Sequence, residues 1–215
     1  MLGIIRVLTT DNHEVLQEHG NRMKSIFQVD SLTKCIQDQP HGIYNKETEE
    51  IAIPKIVALA KQMAEEDGVD AITISCAADP ALEESRVAVS LPVLGAGVCG
   101  AHAASMVGQR VGIIGITEEP PIRMKEELSE KFHSFSYSPK IRKTTDLFST
   151  DAKEELLNVV NNVIQSGADV ILFACTGFST IRLKDYLVQH IDVPVIDLVE
   201  AQAIAYQLIN GEKLG

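Results

Sequence analysis

The chain has 215 residues, is 45% hydrophobic, and carries a net charge of −11 from 30 acidic and 19 basic residues. That excess of acid excludes a protein that grips nucleic acid or anionic membrane through non-specific charge. No uninterrupted apolar run is long enough to span a bilayer. The opening Met1–Leu8 has neither a basic leader nor the length of a secretory signal, so a cytoplasmic protein is the expectation. Its cysteines, Cys35, Cys76, Cys99 and Cys175, show no CxxC spacing and should be thiols in that compartment.

In chain order, Ile4–Thr9 reads as a first buried strand and residues 14–24 as a helix. Ile26–Val29 reads as a short strand. Thr48–Glu66 places Ile51, Ile56, Leu59 and Met63 at helical spacing and ends near Gly68. Ala71–Ser75 is a strand, and Asp79-Pro80 then supplies a helix cap and a first-turn proline. Val93–Leu94 is a strand and a helix opens near Val98. Val111–Thr117 restarts the series. The polar stretch from Glu118 to Thr150, with Pro120-Pro121, carries no clear periodicity. Ala152–Gln165 is a helix, Asp169–Ala174 a strand, Val193–Ile196 another, and a last helix follows. Strands alternating with helices predict parallel α/β sheets, in which ligands bind beyond the carboxyl ends of the strands.

Two stretches of this series are copies. Gly68-Val-Asp-Ala-Ile-Thr-Ile-Ser-Cys76 matches Gly167-Ala-Asp-Val-Ile-Leu-Phe-Ala-Cys175, and Leu91-Pro-Val-Leu94 matches Val193-Pro-Val-Ile196. Each apolar run follows a glycine suited to a helix C-cap. Two equivalent thiols from two equivalent units imply a site between pseudo-symmetric halves, with one sulfur on each side of a small molecule. That arrangement suits moving a proton from one face of a carbon to the other. One cysteine, as thiolate, would take the proton from a carbon beside a carbonyl. The other would return one to the opposite face. Small and hydroxylated residues follow each cysteine, Ala77 and Ala78 after the first, Thr176 and Gly177 after the second. Helix starts close behind should lower the thiol pKa and hold an anion. Thr9, Thr10 and Thr117 end equivalent first strands and stand as further cleft-lining residues.

The cysteine segments resemble the aspartate/glutamate/hydantoin racemase superfamily, and the resemblance covers nearly the whole chain. Its strongest pieces are Cys76-Ala-Ala-Asp-Pro-Ala-Leu82 with Pro92-Val-Leu-Gly-Ala-Gly97, and Ala174-Cys-Thr-Gly177 with Pro194-Val-Ile-Asp197. The Asp-Pro and Pro-Val-Ile-Asp pieces look more like the hydantoin racemase branch. The resemblance implies an α/β fold of two pseudo-symmetric lobes, each a mostly parallel sheet flanked by helices, with the active site in the cleft. The lobes would be residues 1–97 with a C-terminal helix over about 198–215, and residues 98–197. It further implies Cys76 and Cys175 as the acid/base pair of a cofactor-independent racemase or epimerase, a small-molecule substrate such as a hydantoin or amino-acid derivative, and a homo-oligomer. Pro40-His41-Gly42 resembles a substrate-side loop of the amino-acid racemases, which makes Gly42 a candidate. Two departures count. The Asn-Pro-Asn type loop common in hydantoin racemases is replaced by Thr9-Thr10-Asp11-Asn12. The Asn-Thr and Thr-His pairs usual after the cysteines of amino-acid racemases are replaced by Ala77-Ala78 and Thr176-Gly177, which argues against a free aspartate or glutamate substrate. A free amino-acid (aspartate/glutamate) racemase, or a decarboxylase or isomerase of the same superfamily, is the near alternative.

One motif points elsewhere. Gly95-Ala-Gly97-Val-Cys-Gly100 matches the GxGxxG of dinucleotide-binding turns, follows an apolar strand and opens a helix. It supports a rival NAD-binding oxidoreductase, which leaves the paired cysteines unexplained. Cys99 and His102 are three apart, but no further ligands at metal spacing accompany them, so no metal is expected. Asp197 with Glu200 reads as a capping box.

Overall fold

Two runs of buried β-branched residues organise the molecule. In the computed structural model, which describes residues 1–210, they form two four-stranded parallel sheets. The first half contains β1 (Leu2–Arg6), α1 (His13–Phe27), β2 (Ser31–Cys35), α2 (Lys46–Glu66), β3 (Ala71–Ser75), α3 (Leu82–Ala88), β4 (Val93–Gly95) and α4 (Ala96–Val107). The second contains β5 (Val111–Gly115), α5 (Ile122–Leu128), β6 (Phe132–Tyr137), α6 (Ala152–Gln165), β7 (Val170–Phe173), two short helices α7 (Gly177–Thr180) and α8 (Leu183–Leu187), β8 (Val195–Ile196) and α9 (Leu198–Ile209). The sheet orders are β2-β1-β3-β4 and β6-β5-β7-β8, so the sequence repeat is a repeat of topology. The copies agree bond for bond at their edges. Ile72 N–H donates to the Pro92 carbonyl and Ile171 N–H to that of Pro194, both at 2.9 Å. Gly68 and Gly167, at φ +65° and +112°, take the left-handed turn that ends α2 and α6, where a side chain would strain the backbone.

The central strands β1, β3, β5 and β7 are buried along their whole length, which is why they read as continuous apolar runs. The last helix of each half packs on the other half. Ala101 and Ala104 of α4 share a core cluster with Val170 and Leu172 of β7. Val199, Ala203 and Tyr206 of α9 share another with Leu2 and Ile4 of β1. This exchange ties the sheets together through apolar contacts, each fully buried large side chain being worth about 1.5–3 kcal/mol. Gly100 sits where α4, α9 and β7 meet, and a methyl group there would overlap Leu198.

Three expectations need correction. Residues 26 and 27 belong to the end of α1, and the strand follows at Ser31–Cys35. The stretch without periodicity contains α5 and the edge strand β6, whose residues are all only partly buried. Asp79 does not cap α3, because both Asp79 and Ala81 lie at positive φ and the helix begins at Leu82. Of the C-terminal helix expected over about 198–215, residues 211–215 lie outside the described residues. Among those described, no helix is long and apolar enough to cross a membrane.

Candidate active site

β3 and β7 end side by side in function, each delivering a cysteine at its carboxyl end. Cys76 and Cys175 both line one cavity of about 710 Å³, with Ala77 and Ala78 beside the first and Thr176 and Gly177 beside the second. Gly42 and Thr117 also line it. Of the candidate residues named from the sequence, only Thr9 and Thr10 stand apart from this wall. β1 ends at Arg6, and the chain turns away before reaching the threonines. Thr9 Oγ1 donates to the Ile36 carbonyl and accepts from Gln39 N–H, both at 2.7 Å, while Thr10 accepts from Asn12 N–H. These hydroxyls hold the loop between β1 and α1 instead.

The two cysteine loops are anchored differently. The Asp79 carboxylate reaches the start of α4, where Gly97 and Val98 N–H donate to its two oxygens at 2.8 Å each. Burial pushes this carboxyl up to about 7 against the pull of those donors. The Cys175 loop is braced by Phe173 and Phe178, fully buried rings in an edge-to-face contact at 5.2 Å. Ser179 also donates to Asp197, which caps α9 through Val199 and Glu200 N–H. The expected capping box at Asp197 is thus half formed, since the Glu200 side chain is bound to Arg22 and Lys184.

The Asp79 contact also corrects the dinucleotide reading. In such a site the free N–H groups at the helix start face a pyrophosphate. Here Gly97 and Val98 N–H are taken by Asp79. Side chains at Gly95 and Gly97 would collide with Asp79 and with the Ala77 carbonyl, so these glycines serve close packing.

The electrostatics depart from expectation as well. Burial pushes the Cys76 thiol up to about 12, opposed by the Ala78 N–H and reinforced by Cys175, Asp79 and Glu49. Burial pushes Cys175 up to about 11, opposed by the N–H groups of Gly177 and Phe178 and by Arg6. Desolvation outweighs the helix starts, and both groups are thiols at neutral pH. The N–H that steadies each sulfur comes from the residue two positions on, Ala78 and Gly177, so the repeat extends to this detail.

Sequence reasoning missed Arg6, the last residue of β1, which lines the cavity and is only 4% exposed. Its Nη1 donates to the Val15 and Leu16 carbonyls at 2.8 and 3.2 Å. It forms no ion pair among the described residues. Burial lowers its pKa to about 10, and the largest charge supporting it is that of Cys175. A lone arginine in an otherwise apolar strand was the available signal. Also missed was His19 of α1, wholly buried, whose ring contacts Ser75, Thr176 and Thr180. The Thr176 hydroxyl donates to the Ser75 carbonyl at 3.0 Å, so its proton is committed within the protein. Over the cavity, Gly42 (φ +68°) passes close to Thr144, and Lys143 lies 5.5 Å from the centre of the Tyr44 ring. Ile43, Ile116, Pro120 and Pro121 supply apolar wall. Glu49, Glu119 and Glu126 stand in the wall against Lys46 and Arg123, and Arg123 is paired with Glu83 at 2.8 Å.

Comparison with known proteins agrees with this geometry. The family model described as Asp/Glu/Hydantoin racemase matches residues 28–205. The chain is 28% identical over 172 residues to the hydantoin racemase of Pseudomonas sp. (strain NS671), a match spanning 75% of this chain and 66% of that relative, just short of two thirds of its length. The fold is similar to that of an allantoin racemase from Klebsiella pneumoniae, with a TM-score of 0.81 at 22% identity over 98% of this chain and 88% of that one. It is also similar to glutamate racemase RacE1 from Bacillus anthracis, with a TM-score of 0.74 at 17% identity over 98% and 81%. Two cysteine-bearing parallel sheets facing one cavity, together with a family match across most of the sequence, make this chain a member of the Asp/Glu/Hydantoin racemase family.

Proposed function

We propose that this protein is a cofactor-independent racemase or epimerase that inverts a carbon beside a carbonyl by two-cysteine proton transfer. The observation that carries the reading is the pair of repeat-matched thiols, one from each sheet, on the wall of a single cavity. The lobes are assigned as residues 1–97 with the C-terminal helix from about 198, and residues 98–197, in keeping with the packing of α9 on β1.

Both cysteines rest as thiols, and the reaction starts when one of them gives its proton to solvent, leaving one thiol and one thiolate. Arg6 favours the thiolate at Cys175, since a buried cation without a carboxylate partner gains most from a negative neighbour. Asp79 and Glu49 oppose it at Cys76. The Cys175 thiolate takes the proton from the stereocentre, and the electron pair of that C–H bond moves onto the carbonyl oxygen. The Cys76 thiol then gives its proton to the opposite face as the carbonyl re-forms. Cys175 ends as thiol and Cys76 as thiolate, and the reverse direction starts from that state. Ala78 and Gly177 N–H steady whichever sulfur is charged.

A 5-substituted hydantoin is the preferred substrate class. Its ring is uncharged at neutral pH, and its substituent can lie on Ile43, Ile116, Pro120 and Pro121. A free dicarboxylic amino acid would face Glu49, Glu119 and Glu126, while of the wall's three cations Arg123 is paired with Glu83 and Lys46 with Glu50, which leaves Arg6 alone, and Ala77-Ala78 offers it no hydroxyl. Proton NMR in D2O tests this with L-5-benzylhydantoin, allantoin, aspartate and glutamate, each against a no-enzyme control. Enzyme-dependent loss of the stereocentre proton with formation of the other enantiomer of the hydantoin is expected. Exchange confined to the free amino acids would overturn the substrate assignment, and no exchange in any of them the racemase reading.

A further inference from the structure

We propose that His19 is a positioning residue that sets the spacing of the two cysteines by clamping the residue before Cys76 to the residue after Cys175. The inference rests on the two-cysteine reading for its catalytic consequence, and on hydrogen bonds alone for the clamp.

The ring of His19 has no exposed surface. Its Nδ1 lies 2.9 Å from Ser75 Oγ. Its Nε2 lies 3.1 Å from the Thr176 carbonyl oxygen and 3.1 Å from Thr180 Oγ1. A carbonyl can only accept, so Nε2 carries the hydrogen. Burial and the Arg6 charge hold the pKa of the ring well below its ordinary value, which keeps it neutral. A neutral ring protonated at Nε2 has Nδ1 as an acceptor, so the Ser75 hydroxyl donates to it. One imidazole thereby joins the end of β3 to the turn after β7. A second bond runs in parallel, from Thr176 Oγ1 to the Ser75 carbonyl. Ser75 and Thr176 are held together twice, and they are the immediate neighbours of the two cysteines.

α1 is built to carry this clamp. Arg22 lies three residues on, on the same face, and binds Asp185 through two nitrogens at 2.9 and 3.1 Å and Glu200 at 2.6 Å. From the other side, Arg6 Nη2 reaches Thr180 Oγ1 at 3.4 Å. An apolar residue would fill the His19 site at less cost than an imidazole, which must have both nitrogens satisfied when buried. The polar clamp fixes direction as well as distance. Inversion through two thiols requires the reacting carbon to stay within reach of both. A displacement of about 1 Å is enough to cost up to about a hundredfold in rate.

The test compares His19→Met, which fills the space without the bonds, with His19→Gln, which can return an N–H to the Thr176 carbonyl. Amide hydrogen exchange, read by mass spectrometry without substrate, should quicken in both residues 75–78 and residues 175–178 of His19→Met. Exchange that stays at the wild-type rate in either loop overturns the clamp. With L-5-benzylhydantoin, kcat of His19→Met should fall about 10- to 100-fold while KM changes less than about threefold, and His19→Gln should recover part of kcat. Wild-type kcat in His19→Met, or a loss carried by KM, overturns the positioning role. If His19→Met does not fold, Ser75→Ala removes only the Nδ1 partner and is read the same way. Failure of the wild type to turn over any substrate would sink the racemase reading but leave the exchange measurement to decide the clamp.

Discussion

The Cys76 and Cys175 loops occupy the same place in two copies of one unit, yet they are held by opposite devices. The Cys76 loop is tied by its own Asp79, whose carboxylate reaches forward into the first turn of α4. The Cys175 loop is tied by Asp197, the cap of α9, which receives a bond from Ser179. The same loop-to-helix link is made with donor and acceptor exchanged between the partners. The consequence is electrical. The first loop carries a buried acid beside its thiol, and Glu49 adds to it. The second carries none and has Arg6 instead. A symmetric fold thus delivers two chemically unequal thiols, as a reaction needing one base and one acid at any moment requires.

The largest effect should come from removing either thiol. Cys76→Ser and Cys175→Ser should each lower the racemisation rate by roughly 10²–10⁴, the range for loss of a positioned acid or base. One of the pair should still exchange the stereocentre proton from its own face. Chiral chromatography beside deuterium NMR separates the two behaviours, and full racemisation by both variants would end the two-cysteine mechanism.

The anchors differ in strength in the same direction. Phe178→Ala should cost about 3–5 kcal/mol, as expected for a large aromatic ring deleted from a closed core. Asp79→Ala leaves two N–H groups without partners and should cost about 1–3 kcal/mol. Urea unfolding monitored by circular dichroism would rank them, and a reversed order would show the Cys76 loop to be the firmer one.

The electrical contrast is sharpened by Arg6→Met. Loss of the cation should push the Cys175 thiol further up and leave Cys76 nearly unchanged. Only the thiolate reacts with an alkylating agent, so a thiol made about tenfold weaker as an acid is labelled about tenfold more slowly at fixed pH. In the wild type, iodoacetamide labelling of both should keep rising between about pH 8 and pH 10, since neither thiol has ionised there. Mass spectrometry assigns the label to each cysteine. Equal slowing of both in the variant would remove Arg6 from any preference for Cys175.

The parts legible in the sequence are those where one segment carries its own explanation. β3 and β7 are buried on both faces, so they appear as apolar runs, and each cysteine is marked by the glycine and aspartate before it. The edge strands β2 and β6 hide because their faces are half wet, and Ser31-Leu-Thr-Lys-Cys35 or Phe132-His-Ser-Phe-Ser-Tyr137 gives no strand-like hydrophobic pattern. The site divides in the same way. Repetition reveals the cysteines and their small neighbours. It cannot reveal His19, whose partners Thr176 and Thr180 lie more than 150 residues away. Analogy between strand ends places Thr9 and Thr10 in the cleft, but β1 stops at Arg6 and its carboxyl end presents the arginine. The thiol pKa escapes sequence reasoning because burial, the dominant influence on both cysteines, is a property of the assembled cavity and of no local motif.

The smallest effect tests His19 as a buried neutral base. Its folded pKa lies well below the 6.5 of the free side chain, through burial first and the Arg6 charge second. Its other neighbours, Ser75, Thr176 and Thr180, are uncharged. As pH falls below about 6.5, the unfolded chain takes up a proton that the folded chain refuses. Stability is therefore lost on the acid side and is untouched above it. Asp79 and Asp197, both raised by burial, act with the opposite sign, because the folded state holds their protons longer and stability falls as pH rises above their unfolded value of 3.8. The wild-type curve alone mixes these contributions. The difference between wild type and His19→Met isolates the histidine, since the aspartates remain in both. Wild-type stability minus that of the variant should be flat from about pH 8 to pH 7 and then fall steadily toward pH 5, as the wild type loses stability that the variant does not. Thermal melts at half-unit intervals of pH would trace it. A difference independent of pH over that range would mean that the ring takes up a proton in the folded state as readily as in water, and the neutral Nε2–H form on which the clamp depends would be wrong.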